Sequence, residues 1–255
     1  MKLEVILSVM NLDKKELNKM NITSKCIVIN QTNKEGHTKY KNFDIYSYKD
    51  KGVSVSRNHG IEQAKEAILL FCDDDLVYKD GYEKIVLDEF KKNKDADVIM
   101  FNVVNKVRNK KLHTKNKRLH LFNSLKYATY NIAIRRKSIG KIRFNTDFGP
   151  GAKYSNGSDT MFIIDVLKNK LKIYSCPIVI GEVYAKESTW FNGYNEKYFY
   201  CKGVLFTAIN KRFRHVLMLQ YLVRHNNVLT EYKFKEAYRI MLKGSKEYLH
   251  DISNS

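Results

Sequence analysis

Three consecutive carboxylates, Asp73, Asp74 and Asp75, stand between the apolar run AILLFC (67–72) and LVY (76–78). Adjacent anions repel one another, so a triplet at the end of a buried segment asks for a positive partner. A hard divalent cation is one answer: Mg2+ or Mn2+ takes one or two carboxylates and completes its shell with water or substrate phosphates. Such an ion neutralises charge that builds on a phosphate leaving group. The start of a helix is the other answer, because its dipole favours aspartate. On the triplet alone the two stand level. A further acid, Asp159, follows the glycine-rich stretch FGPGAKYSNG (148–157) and opens the apolar-periodic run SDTMFIIDVLKNK (158–170). Ser158-Asp159 is good helix-capping chemistry. A carboxylate there can equally take a proton from a hydroxyl within hydrogen-bond reach.

The segments that must hold these acids are legible from their periodicity. LEVILSVM (3–10), CIVIN (26–30), FDIYSY (43–48), AILLFC (67–72) and ADVIMFNVV (96–104) predict strands. DKKELNKM (13–20), with Asp13 able to cap it, predicts a short helix. SRNHGIEQAKE (56–66) predicts a helix with Ile61 and Ala64 inward. GYEKIVLDEFKKNK (81–94) predicts another, with Tyr82, Ile85, Val86, Glu89 and Phe90 at helical spacing. The order is alternating α/β, and in open sheets of that kind ligands bind beyond the carboxyl ends of the strands. The aspartate triplet falls at such an end. LKIYSCPIVIGEVY (171–184) reads as a strand pair or one bent strand, and helices with a basic and an apolar face follow from about residue 195. The acid-free run NKVRNKKLHTKNKRLH (105–120) reads as a solvated loop or as a flap facing an anion.

Composition narrows the class. With 255 residues and 44% hydrophobic content the chain suits one large domain, or a domain with an appendage, and wholesale disorder is excluded. Only 2 prolines and 12 glycines leave no stretch that reads as a flexible linker. A net charge of +19 draws an anionic partner: nucleic acid, a phospholipid surface or phosphorylated small molecules. The four cysteines, Cys26, Cys72, Cys176 and Cys201, lie far apart with no zinc spacing. Three of them sit in apolar strand-like runs, which predicts buried free thiols and a reducing compartment. No run reaches the roughly 20 apolar residues that span a bilayer. The expectation is a soluble, cytoplasmic protein.

The stretch GVSVSRNHGIEQAKEAILLFCDDDLVY (52–78) resembles the family 2 glycosyltransferases of the GT-A fold. That family shows a helix carrying a small residue, Arg-Asn and Gly-Ile, then a buried strand, then Asp-x-Asp. The counterparts are Ser56-Arg57-Asn58, Gly60-Ile61 and Asp73-Asp74-Asp75. FGPGAKYSNGSDTMFIIDVLKNKLKIYSCP is similar to the family's glycine loop, acidic pair before a helix and apolar strand beyond, and ESTWF (187–191) to its Ser/Thr-Trp segment. The resemblance covers about residues 1 to 200.

It implies an α/β GT-A (Rossmann-like) mixed sheet flanked by helices, with a nucleotide-sugar half at about 1–104 and an acceptor half at about 105–195. A helical, basic C-terminal extension would occupy 196–255. It implies inverting, metal-dependent transfer from a nucleotide-sugar, a UDP-sugar first among them, to a saccharide or lipid-linked saccharide in bacterial surface polysaccharide synthesis. Mn2+ or Mg2+ would rest on Asp75 and Asp73. Arg57, Asn58, Asn30, Gln31, Asp73 and Asp74 would face the nucleotide, Asp159 would be the catalytic base, and Trp190, Gly151 and Ser158 would face the acceptor. Lys211, Arg212 and Arg214 are the candidates for peripheral contact with the inner face of a membrane. A homo-oligomer is allowed.

Three departures stand out. Asn30-Gln31-Thr32-Asn33 occupies the place where the family's second strand commonly ends in acids, Ser158 the place of a usual Glu, and no His lies near Val183 to Ala185. The competing readings are a nucleotidyltransferase on a similar fold, a basic nucleic-acid-binding protein, and a degenerate transferase that binds without turnover. No helix-turn-helix, zinc finger or RNP-like motif is present, so no nucleic acid is expected as partner.

Overall fold

LEVILSVM is a strand covered on both faces: Leu3, Val5, Leu7 and Val9 make one face wholly apolar, and Glu4, Ile6 and Ser8 are buried on the other. Val5, Leu7 and Val9 enter one core and Ile6 the other. The same alternation runs through the neighbouring strands: Cys26 and Val28 against Ile27 and Ile29, and Leu70 and Cys72 against Leu69 and Phe71. A sheet buried on both faces needs helices on both sides, which is how the chain is arranged.

The structure, a computed structural model, describes residues 1–106, 112–124, 127–184 and 193–254. The order is β1 (Leu3–Met10), α1 (Lys14–Leu17), β2 (Lys25–Gln31), β3 (Gly36–Tyr40), β4 (Phe43–Tyr48), α2 (Val53–Gln63), β5 (Ile68–Asp73), β6 (Leu76–Tyr78), α3 (Tyr82–Lys92) and β7 (Val98–Asn105). Then come β8 (Lys117–Leu119), α4 (Leu121–Ser124), a 3-10 turn (Thr129–Asn131), β9 (Ile132–Arg135), α5 (Arg136–Ile139), α6 (Ser158–Lys168) and β10 (Ile173–Val183). Three helices close the chain: α7 (Glu196–Ile209), α8 (Arg214–Arg224) and α9 (Phe234–Ser253).

One mixed sheet runs in the order β3-β4-β2-β1-β5-β9-β7-β10-β6, with β8 on β10. β4, β2, β1 and β5 are mutually parallel, so their carboxyl ends share one edge. β9 then enters antiparallel between β5 and β7. The chain returns through β6 at the far end of the path, only two residues after β5 ends. β10 must therefore bend to reach it. Its pairing with β7 shifts register between Ser175 and Val179 and again before Gly181. The bulge contains Pro177, whose carbonyl accepts from the amide of buried Asn102 at 2.8 Å. Residues 171–184 are thus one bent strand, not a pair.

The expected elements appear with shifted ends. The helix predicted from Ser56 begins at Val53 and stops at Gln63, because Ala64 is already extended (ψ 137°). α1 has the predicted cap: the Asp13 carboxylate accepts from the Lys15 amide at 2.9 Å. Tyr82, Val86, Glu89 and Phe90 of α3 are buried as their spacing predicts. All four cysteines are buried free thiols. Trp190 and the ESTWF segment lie outside the described residues, as do 107–111 of the basic run.

The last three helices form a core of their own, with Phe199, Met218, Leu222, Ala237 and Met241 inside. α7 and α9 approach closely because glycine stands on each: a Cβ on Gly203 would sit 1.9 Å from the Met241 carbonyl oxygen, and one on Gly244 2.4 Å from that of Tyr200. No described helix is long and apolar enough to cross a membrane.

Gly203→Ala is therefore expected to destabilise the chain by about 1–3 kcal/mol, since backbone must move to admit the methyl. Thermal melting followed by circular dichroism should show a Tm lower by roughly 2–4 °C for each kcal/mol. Gly36→Ala, where a Cβ would meet nothing within 4 Å, is the matched control and should leave Tm unchanged.

Candidate active site

Gly60 sets the depth of the site. A Cβ there would lie 2.3 Å from Ile6 Cγ2, so glycine lets α2 press directly onto β1. One turn earlier on the same face stands Arg57, buried to 5% exposure and at the carboxyl edge of the sheet. Its guanidinium reaches two acids from two other elements. Nη2 donates to Asp73 Oδ1 at 2.9 Å, at the end of β5, and Nη1 donates to Asp159 Oδ1 at 3.0 Å, in the first turn of α6. The ring of Phe144 lies 5.4 Å from the guanidinium carbon. Burial opposes the positive charge, but Asp73 and Asp159 more than offset it, and the guanidinium titrates above its usual range. Arginine fits this post because a rigid fork can serve two carboxylates at once.

Asp159 has a second donor. The Thr129 hydroxyl, wholly buried in the 3-10 turn, also gives its hydrogen to Asp159 Oδ1. Both donors thus share one oxygen, and Oδ2 accepts no hydrogen bond among the described residues. Asp159 is not the helix cap that its sequence position allows: the cap is Gly157, at φ +100°, with no side-chain cap bond. Ser158 faces inward instead. It lies 2.8 Å from the Ser54 hydroxyl, which donates to the Phe148 carbonyl at 2.7 Å. Ser54, Ser158 and Phe148 together fasten α2, α6 and the glycine loop to one another.

The loop is held at its other end by close backbone approach. Gly151 lies against Gly52, where a Cβ would meet the Gly52 Cα at 2.9 Å, and the Val53 amide donates to the Pro150 carbonyl at 3.1 Å. The Gly52 amide donates to Gln31 Oε1 at 2.7 Å. Asn30 accepts from the Leu12 amide at 2.9 Å and reaches Ser47 at 3.3 Å. Asn58 is fully committed: its Nδ2 donates to the Phe144 carbonyl at 2.9 Å, and its Oδ1 accepts from the Phe144 amide at 2.8 Å. That amide holds the loop at Phe144, with one N–H and one lone pair beyond these two bonds.

The structure therefore brings Arg57, Asp73, Ser158 and Asp159 into direct contact, with Asp74 and Asp75 following along the chain. Gln31, Gly151 and Asn58 brace the surroundings. Thr129 was not foreseen. It lies in a stretch without a helical or strand period, and only the tertiary fold delivers it to Asp159.

Burial, and then the charges of Asp73 and Asp74, push the Asp75 carboxyl up to about 6. A carboxylate so poorly compensated favours a cation nearby. Among the described residues no group of three or more His, Cys, Asp or Glu side chains forms a metal cage. Asp75 and Asp73 are hard oxygen donors, two in number, and this set fits Mg2+ or Mn2+ that draws its remaining ligands from water and substrate phosphate.

Comparison with known proteins agrees with this architecture. The family model described as Glycosyl transferase family 2 matches residues 24–152, a stretch that includes Arg57, the aspartate triplet and Thr129 but ends before Asp159. The fold is similar to S. aureus TarS 1-349 in complex with UDP-GlcNAc, with a TM-score of 0.68 at 14% identity, covering 98% of this chain and 81% of that one. It is also similar to the mannosyltransferase PcManGT from Pyrobaculum calidifontis in complex with GDP-Man and Mn2+, with a TM-score of 0.56 at 8% identity, covering 98% and 87%. At such identities the likeness shows the fold alone. No curated protein matches the chain by sequence.

Removing the Asn58 amide leaves two backbone groups of Phe144 without partners. Asn58→Ala is expected to cost about 2–6 kcal/mol, at about 1–3 kcal/mol for each of the two unsatisfied groups. Urea unfolding would register this as a lower midpoint at an unchanged slope.

Proposed function

The chain belongs to glycosyl transferase family 2, and we propose that it inverts the anomeric centre as it moves a sugar from a nucleotide-sugar to a hydroxyl of a saccharide or lipid-linked saccharide. A UDP-sugar is the first donor to test. The observation that carries this reading is the Arg57 bridge, which ties an acid at the strand end to an acid at the start of α6. It supports a division of labour between the donor diphosphate on one side and the acceptor hydroxyl on the other.

Asp159 is the proposed base. Arg57 and Thr129 occupy its Oδ1 and fix the carboxylate plane, and Oδ2 is left to receive the proton of the acceptor hydroxyl. As that proton moves, the acceptor oxygen forms a bond to the anomeric carbon. The bond from that carbon to the diphosphate oxygen breaks, and the electron pair leaves with the nucleoside diphosphate. Attack opposite the leaving group inverts the centre. Arg57 holds the two acids in register. Mn2+ or Mg2+, when held by Asp75 with Asp73, would neutralise the leaving diphosphate. Gln31 and Asn30, at the end of β2, stand on the edge where the base and ribose of the donor would lie. Their amides provide hydrogen-bonding groups where an acid would provide only acceptors.

Two measurements test the reading. A thermal-shift series with UDP-, GDP-, CMP- and dTDP-sugars, with and without Mn2+, should raise Tm with one nucleotide, and more so with metal. Asp75→Ala should abolish the metal-dependent part; an identical shift in that variant excludes Asp75 as a ligand, and no shift with any donor overturns the reading. Asp159→Asn should keep the donor-induced shift while transfer falls about 10²-fold or more. Transfer near the wild-type rate would remove Asp159 from the role of base.

A further inference from the structure

Helix α8 is apolar on two sides. Met218 and Leu222 point inward and are completely buried against α7 and α9. On the opposite side Val216, Leu219 and Val223 recur at spacings of three and four, and Phe213 precedes them by three. These four are 59%, 41%, 68% and 59% exposed for Val216, Leu219, Val223 and Phe213 respectively. Exposed apolar residues are ordinary when scattered, but a stripe along one helix is not. The described residues include eleven exposed large hydrophobics, and these four share one face. His215, Gln220 and Arg224 are exposed beside the stripe, so it is a discrete apolar strip on an otherwise polar outer side.

The charge beside the stripe selects the cover. Between Glu196 and Glu231 the sequence contains no acid, while Lys211, Arg212, Arg214 and Arg224 bracket the helix. Lys211, Arg212 and Arg224 are exposed. The Arg214 guanidinium folds back onto the Lys211 carbonyl at 2.6 Å and so stiffens the entry to the helix. An apolar stripe with cationic flanks is the pattern of a helix that lies in the plane of a bilayer surface, with its apolar side among the acyl chains and its cations at anionic headgroups. A second copy of the chain would set these like charges against each other, which disfavours self-association at this face. We propose that the outward face of α8, from Phe213 to Arg224, docks the protein onto an anionic lipid surface. The proposal stands on α8 and not on the transfer reaction.

Co-sedimentation with vesicles tests it. The wild-type chain should pellet with phosphatidylcholine vesicles that contain phosphatidylglycerol and stay in solution with phosphatidylcholine alone. Val216→Ser together with Val223→Ser should lower partitioning by roughly 10-fold or more through lost apolar burial. Lys211→Glu together with Arg212→Glu should lower it by a similar factor at low salt, since each cation near such a surface contributes about one kcal/mol, or about 5-fold. All four side chains are exposed, so both variants should melt at the wild-type Tm. Should the valine pair melt lower, Phe213→Ser, which precedes the helix, gives the same reading. Three results overturn the proposal: wild type that ignores the anionic vesicles, a valine pair that pellets like wild type, or a concentration-dependent dimer in sedimentation velocity that the valine pair abolishes.

Discussion

A buried guanidinium cannot stand alone, and Arg57 is the charge around which this molecule is organised. It is reached only because Gly60 lets α2 press on β1, and it stays charged only because Asp73 and Asp159 offset its burial. Those acids come from β5 and α6, 16 and 102 residues away in the chain. The pairing is therefore a long-range constraint that forms only when sheet, helix and loop are all in place. Losing both acids would leave the buried guanidinium without a counter-charge, a far larger penalty than the net gain of making the pairs. Asp74 and Asp75 stand beside Asp73, so the triplet concentrates negative charge at the same edge. Burial first, and then the charges of Asp73 and Asp74, raise the Asp75 carboxyl.

Much of this was legible in the linear chain. Runs such as LEVILSVM and CIVIN are mostly apolar at successive positions, which fits strands covered on both sides, and the alternating order points to an α/β sheet with its acids at a carboxyl edge. What escaped was short or non-local. β9 has four residues, too few to establish a period, yet it sits between β5 and β7 in the middle of the sheet. Its place is dictated by two neighbours far away in sequence. Thr129 was invisible for the same reason. Asn58 shows a different limit: its type suits nucleotide binding and loop bracing equally, and only the structure reveals that it braces Phe144. The two-residue jump from β5 to β6 could not be inferred without the bend in β10, which depends on a bulge around Pro177.

The strongly basic composition also divides once the structure is seen. Many lysines pair locally with acids one helical turn away, as Lys84 and Lys91 do with Asp88, and such exposed pairs say little about partners. The acid-free interval from 197 to 230 is different, because no local partner exists in sequence to quench it. Overall charge therefore overstates the basic signal in α3 and understates it in α8.

The glycine loop that carries Asp159 leans on α7. Phe148, Tyr154 and Met161 share a core with Cys201, Val204 and Leu205, and a Cβ on Gly157 would lie 2.7 Å from Leu205 Cδ1. Lys153 meets Asp251 of α9 at 2.8 Å. The terminal helices are thus a buttress for the catalytic floor and not a detachable cassette. A chimaera that grafted a foreign tail after residue 195 would inherit the sheet and the aspartate triplet intact, yet would have to re-engineer the shelf beneath Gly157. A change in the terminal helices would therefore be felt at the start of α6, through the Leu205 approach to Gly157, the shared core and the Lys153–Asp251 pair.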